Sequence, residues 1–258
     1  MTPEIDMRWL RWRRLSRTLT APRQMYALQR LRWTTNPHGY SLQQFERTRS
    51  IFIHIPKACG VSIARSLYGN LACGHRSMRE YELAFCPRFL SCCYIFTFVR
   101  NPWDRLFSAY RFLRGGGMNA ADRDWANRYA PYLDSFENFV ERGLADPAFA
   151  RAVHIKPQIK FLLSAAGRIF PLSYIGFYEN LASDFAVVTR QVLRQPSQLS
   201  HDNKTGGVEH DYRTAYTDRM KEIVARFYAD DIALLGYDFD GLALPNQIAR
   251  RDEGKLFA

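Results

Sequence analysis

Twice along this chain, a short run of β-branched and aromatic residues ends in a proline-containing turn and passes at once into a helical segment. Residues 51–55 lead through 56–61 into a helix predicted over 62–68, and residues 94–99 lead through Arg100-Asn101-Pro102 into a helix over 103–113. Proline near the start of the second helix costs little, because its missing N–H would have no partner in the first turn. A third strand, 174–177, precedes a helical segment over 179–193. Strands that alternate with helices pair in parallel, so the pattern predicts an α/β fold whose central, mainly parallel sheet is covered on both faces.

Between the second and third units, a Gly115-Gly116-Gly117 break is followed by helices predicted near 136–142 and over 150–163, which read as a cap over an acceptor site. A last helix is predicted over 217–235 with Ile223, Phe227 and Leu234 inward, and the charged tail after Pro245 reads as frayed. The domain organisation expected is a basic helical extension over 1–49, a main domain over 50–241 and a tail over 242–258. Residues 36–49, with Asn-Pro and His-Gly pairs, read as a connector.

The formal charge of +11 is unevenly placed: residues 1–50 hold ten Arg against three acids, so the remaining 208 residues carry only +4. A mildly basic body suits a polyanionic nucleotide or an acidic acceptor and argues against a nucleic-acid partner, which needs basic residues over a whole face. Residues 8–19 set Trp9, Trp12, Leu15 and Leu19 at three- and four-residue intervals among five Arg. That amphipathic pattern fits either docking on the body or peripheral contact with an anionic membrane. No apolar run approaches the ~20 residues that span a bilayer, and Arg stands where a signal peptide has its apolar stretch. The five cysteines are odd in number, and Cys92 and Cys93 adjoin in the run 91–99, where a strand sends them to opposite faces. Buried reduced thiols and a cytoplasmic, at most membrane-peripheral, location are expected.

The chemistry centres on Pro56-Lys57-Ala58-Cys59-Gly60-Val61-Ser62. Its backbone N–H groups can surround a phosphate at a helix N-terminus, with Lys57 as a point charge. The nucleotide-triphosphate pattern GxxxxGK[ST] is absent, since Lys57 comes before the glycine. The second strand ends in Arg100 where a P-loop NTPase places an Asp on Mg²⁺, so a metal-free donor is expected.

His54-Ile55-Pro56-Lys57 through Ser62-Ile63, together with Phe98-Val99-Arg100-Asn101-Pro102-Trp103-Asp104-Arg105-Leu106-Phe107-Ser108-Ala109-Tyr110, resembles the two motifs that bind 3′-phosphoadenosine 5′-phosphosulfate (PAPS) in carbohydrate sulfotransferases related to heparan sulfate 2-O- and chondroitin sulfotransferases. Weaker similarity continues through His154-Ile155-Lys156-Pro157-Gln158, then Ile175-Gly176-Phe177-Tyr178-Glu179-Asn180-Leu181, then His201-Asp202-Asn203-Lys204-Thr205 and residues 228–239. The resemblance covers about residues 50–240 and implies a three-layer, P-loop-type sulfotransferase fold.

It further implies sulfuryl transfer from PAPS, leaving adenosine 3′,5′-bisphosphate, to a hydroxyl, with a carbohydrate or glycoconjugate as the expected acceptor. In this reading Pro56 to Ser62 grip the 5′-phosphosulfate, and Arg100 and Ser108 hold the 3′-phosphate. Lys57 stabilises the leaving phosphate and Lys204 adds charge from a late loop. His75, between the two motifs where related enzymes carry a catalytic His, is the general base, since imidazole titrates near neutrality. His154 and Gln158, one helical turn apart if the segment is helical, are candidate acceptor contacts, and Trp125, Tyr129 and Tyr132 fit either a sugar platform or a local core. The first motif departs from its usual form: Ala58 and Val61 replace hydroxyl residues and Cys59 stands where Gly or Ala is common, which predicts weaker donor affinity, about 1 kcal/mol for each lost hydrogen bond. A small-molecule P-loop kinase and a non-catalytic, membrane-associated module that binds PAPS or its product are the alternatives.

Overall fold

The computed structural model describes residues 22–195 and 211–257. The described residues form two compact units: the first takes in 22–99 and 158–195, the second 100–157 and 211–257.

The first unit is built on a parallel sheet in the order β1 (Ser50–Ile53), β2 (Tyr94–Val99), β3 (Tyr174–Phe177). The register pairs Phe52 with Phe96 and Phe98 with Gly176. All of β1, and β2 from Ile95 onward, is buried. Burial on both faces is what a continuous apolar run predicts, because a period-2 alternation would leave one face wet. Gly176 is required by packing: a Cβ there would lie 2.4 Å from Cε1 of Phe98. Helices Gln43–Thr48, Gly60–Tyr68, Met78–Ala84 and Leu181–Leu193 belong to this unit. The buried Asp184 carboxylate ties β3 to the last of these, accepting from the Phe177 backbone N–H at 2.7 Å, the Tyr174 hydroxyl at 2.9 Å and the Asn180 amide at 2.9 Å. Tyr81 donates its hydroxyl to the Phe52 carbonyl at 3.1 Å, so the Met78–Ala84 helix is anchored to β1.

In the second unit the described residues are helical or irregular. Its core is aromatic: Phe149 is ringed by Trp125, Tyr129, Tyr132 and Phe139 at centroid separations of 4.9–5.4 Å. Arg105, on helix Pro102–Arg114 of the same unit, is fully buried at 0% exposure. Its guanidinium donates to the carbonyls of His154 (3.3 Å), Ile155 (3.4 Å) and Lys156 (2.8 Å) and lies 5.3 Å from the Tyr228 ring centroid. Three carbonyls facing one cation fix the 154–156 turn.

Several expectations need correction. The 36–49 connector contains the helix Gln43–Thr48, because Phe45 is buried against Tyr68 and Tyr81 at 5.0 and 5.8 Å. The helix expected over 150–163 is absent: Pro147–Ala150 and Ile159–Leu162 are short helices separated by turns, which Arg105 holds from within. The helix expected over 217–235 is broken at Tyr228 into Asp218–Phe227 and Ala229–Leu235, where the Tyr228 hydroxyl donates to the Ile155 carbonyl. Its buried positions are Met220, Val224, Tyr228, Asp231 and Leu235, while Ile223, Phe227 and Leu234 are half-buried. The charged tail contains the helix Leu244–Asp252, secured by Gln247 donating to the Leu235 carbonyl at 2.7 Å. Cys92 caps the helix Pro87–Ser91 and lies outside β2; Cys86 and Cys92 are exposed, Cys73 and Cys93 buried, Cys59 half-buried, and none of the five is in a disulfide. The segments 8–19 and 201–205 lie outside the described residues. No helix among the described residues is long and apolar enough to cross a membrane.

Candidate functional site

β1 ends at Ile53, two residues before the end expected from the sequence, and the chain turns through Pro56–Cys59 into the helix Gly60–Tyr68. The turn is backbone-strained. Lys57 (φ 68°) and Cys59 (φ 62°) both adopt the left-handed conformation that side chains disfavour, at a cost of order 1 kcal/mol or more each. Strain of this kind persists where surrounding structure imposes it, and it clusters at ligand sites. Cys59 is the N-cap residue, so its Cβ occupies a backbone position that glycine would fill without strain. The N–H groups of Gly60, Val61 and Ser62 begin the helix and have no intrahelical acceptor, the arrangement that favours an oxyanion. Lys57, Cys59 and Val61 are half-buried; Pro56, Ala58, Gly60 and Ser62 are buried.

His54 holds this turn from below. Only 4% exposed, its ring stacks on Phe52 at 5.6 Å and lies so close to Gly60 that a Cβ there would sit 1.8 Å from Cδ2. Glycine at position 60 is therefore dictated by the imidazole. The edge of the same ring meets His75, at a centroid separation of 4.4 Å and an interplanar angle of 67°. The structure thus connects the half-buried His75 to the Pro56–Cys59 turn and Gly60 through His54. The loop that carries His75 is shaped by Gly74 (φ 66°), where a Cβ would lie 2.9 Å from Tyr40 Cε1. It then passes into the capping box of Ser77 and Glu80, and Glu80 also pairs with Arg76 at 2.8 Å. Burial, opposed by the nearby Arg76, pushes the Cys73 thiol up to about 12. Cys73 is consequently a neutral packing group at physiological pH and not a thiolate nucleophile.

In the second unit Arg100 directly follows β2 in the chain, and Asn101 caps the helix Pro102–Arg114 by accepting from the Trp103 N–H at 3.1 Å. Asn101 also donates to the Asp238 carbonyl at 2.7 Å. Asp104 takes the Nε and Nη2 edge of the Arg100 guanidinium at 2.7 and 2.8 Å, which fixes its plane. Ser108, half-buried, follows Asp104 by four residues and shares its helix face. Asp104 thus links Arg100, with which it pairs from within the helix, to Ser108 on its own face. Asp104 was not singled out from the sequence, although the i, i+4 spacing of an Arg–Asp pair is a readable signal.

Other expected contacts are placed differently. His154 and Gln158 are not on one helical turn, because the segment joining them is not helical. His154 pairs with Asp122 at 3.2 Å within the second unit, and Gln158 is a fully buried residue of the first, preceding the helix Ile159–Leu162. Trp125, Tyr129 and Tyr132 pack on Phe149 as a local core. Lys204 lies outside the described residues. In comparison with known proteins, residues 46–238 match a family model described as sulfotransferase family. No curated protein and no solved structure matches the chain.

Proposed function

The chain belongs to the sulfotransferase family, and on that premise we propose that it transfers a sulfuryl group from PAPS to a hydroxyl of a carbohydrate or glycoconjugate. The observation that carries the proposal is the strained Pro56–Cys59 turn, which carries Lys57 and leads into a helix N-terminus, with His75 beside its supporting histidine. In the proposed reaction the S–O bond to the 5′-phosphate breaks as an S–O bond to the acceptor oxygen forms. His75 takes the hydroxyl proton, and Lys57 with the backbone N–H groups of the turn stabilises the negative charge developing on the departing phosphate. Arg100, oriented by Asp104, and Ser108 are assigned the 3′-phosphate that distinguishes PAPS from ordinary adenine nucleotides, on the strength of their motif and of Asp104, which pairs with Arg100 and shares a helix face with Ser108.

The charge that an NTPase supplies with Mg²⁺ is assigned here to protein cations, since an arginine and not an aspartate follows β2. Label from ³⁵S-PAPS is expected to pass to a hydroxyl-rich oligosaccharide acceptor at an undiminished rate in excess chelator, with release of adenosine 3′,5′-bisphosphate. Transfer of phosphate from ATP that depends on Mg²⁺, with none of sulfate from PAPS, would replace this reading with a kinase.

A further inference from the structure

The helix Pro22–Trp33 has two dissimilar faces. Inward, Leu28 is buried, Gln29 donates to the Ala84 carbonyl at 3.0 Å, and Arg32 is ion-paired with Glu46 while also donating to the Ala84 carbonyl at 3.2 Å. These contacts hold the helix on the Met78–Ala84 helix and fix which side faces out. Outward, Arg23, Tyr26, Ala27, Arg30 and Trp33 are all exposed, at the three- and four-residue intervals that make one stripe. Tyr26 at 67% and Trp33 at 71% are the only exposed aromatic residues among those described.

The stripe is basic: it carries Arg23 and Arg30 and no acid, and Glu46 on the inward side is ion-paired with Arg32. The sequence contains no Asp or Glu from residue 7 to residue 45. Tyr and Trp rings are amphipathic and settle at the headgroup level of a bilayer, and arginines beside them extend their guanidinium groups to anionic headgroups. A second copy of the chain would set arginine against arginine across a two-fold axis. Two exposed arginines are also few for a nucleic acid, whose affinity grows with the number of phosphates neutralised.

We propose that this outward face docks the protein on an anionic lipid surface, with Tyr26 and Trp33 at the headgroup level and Arg23 and Arg30 on the lipid charges. The proposal is independent of the reaction catalysed. The test is co-sedimentation of the full chain with phosphatidylcholine vesicles, with and without phosphatidylglycerol, at low and high salt. The wild type is expected to pellet with the anionic vesicles alone and to be released at 1 M salt, where screening acts within ~3 Å. The double variants Tyr26→Ser/Trp33→Ser and Arg23→Gln/Arg30→Gln are each expected to lower partitioning about tenfold or more, with unchanged melting temperature because the four side chains are exposed. Equal pelleting with neutral vesicles, or no pelleting, would overturn the proposal. So would wild-type partitioning in both variants, including the case in which only Trp9→Ser/Trp12→Ser releases the protein, or loss of a wild-type dimer in either variant.

Discussion

Lys57→Ala is expected to lower kcat for sulfuryl transfer by about 10²–10³-fold, the range seen when one pre-aligned donor to developing charge is removed. The substitution isolates the ammonium group. Lys57 has φ 68°, and alanine retains the Cβ that makes this conformation costly, so the turn experiences the same strain with and without the charge. A Lys57→Gly variant would relax the backbone as well and mix the two effects. The backbone N–H groups of Gly60 to Ser62 remain in Lys57→Ala, so affinity for the spent donor is expected to fall far less than turnover. Steady-state kinetics alongside calorimetric titration separate the two. A kcat within threefold of wild type would remove Lys57 from the chemistry.

Arg105→Ala is expected to destabilise the protein by about 3–5 kcal/mol, from buried carbonyls that lose a donor at about 1–3 kcal/mol each and from the cavity left behind. The loss is not only of an ion. The carbonyls of His154 and Lys156 lose their buried donor, whereas Ile155 keeps the Tyr228 hydroxyl. Tyr228 loses the cation above its ring. Arg105→Lys is expected to recover only part of the loss, because one ammonium cannot reproduce the planar fork that reaches three carbonyls. In a thermal melt the alanine variant is expected to fall by about 10 °C or more. A change below 2 °C would mean that the 154–156 turn is held by other contacts.

These two residues differ in how far their roles could be read from the sequence. Lys57 stands in a loop between an apolar run and a helical segment, and the order strand, Lys, Gly, Ser is what suggests a phosphate-binding turn without any long-range information. Arg105 sits in the same motif as Arg100, yet only the folded chain shows that it points into the core while Arg100 pairs with Asp104. The periodicity of a helix tells which residues share a face, not which face is inside.

The strands follow the same division. β2 and β3 were legible because they are short β-branched and aromatic runs that end where polar or turn-forming residues begin. β1 ends early because His54 leaves the ladder to pack its ring against Gly60, a contact fixed by the turn geometry and not by hydropathy. The break at Tyr228 and the missing helix at 151–157 have one cause, since both segments are bonded to each other and to Arg105 across long separations in sequence. Both remained hidden from local propensity for that reason. His75 is a similar case: its residue type suits a base, but only its 4.4 Å approach to His54 ties it to the Pro56–Cys59 turn.

The most direct test of the central claim is isothermal titration of the full chain with adenosine 3′,5′-bisphosphate beside AMP and ATP–Mg²⁺. A clear preference for the bisphosphate, lost in Arg100→Ala, is the result predicted for a PAPS-dependent enzyme whose Arg100 recognises the 3′-phosphate. Equal affinity for AMP, preference for ATP–Mg²⁺, or a preference that survives Arg100→Ala would contradict it.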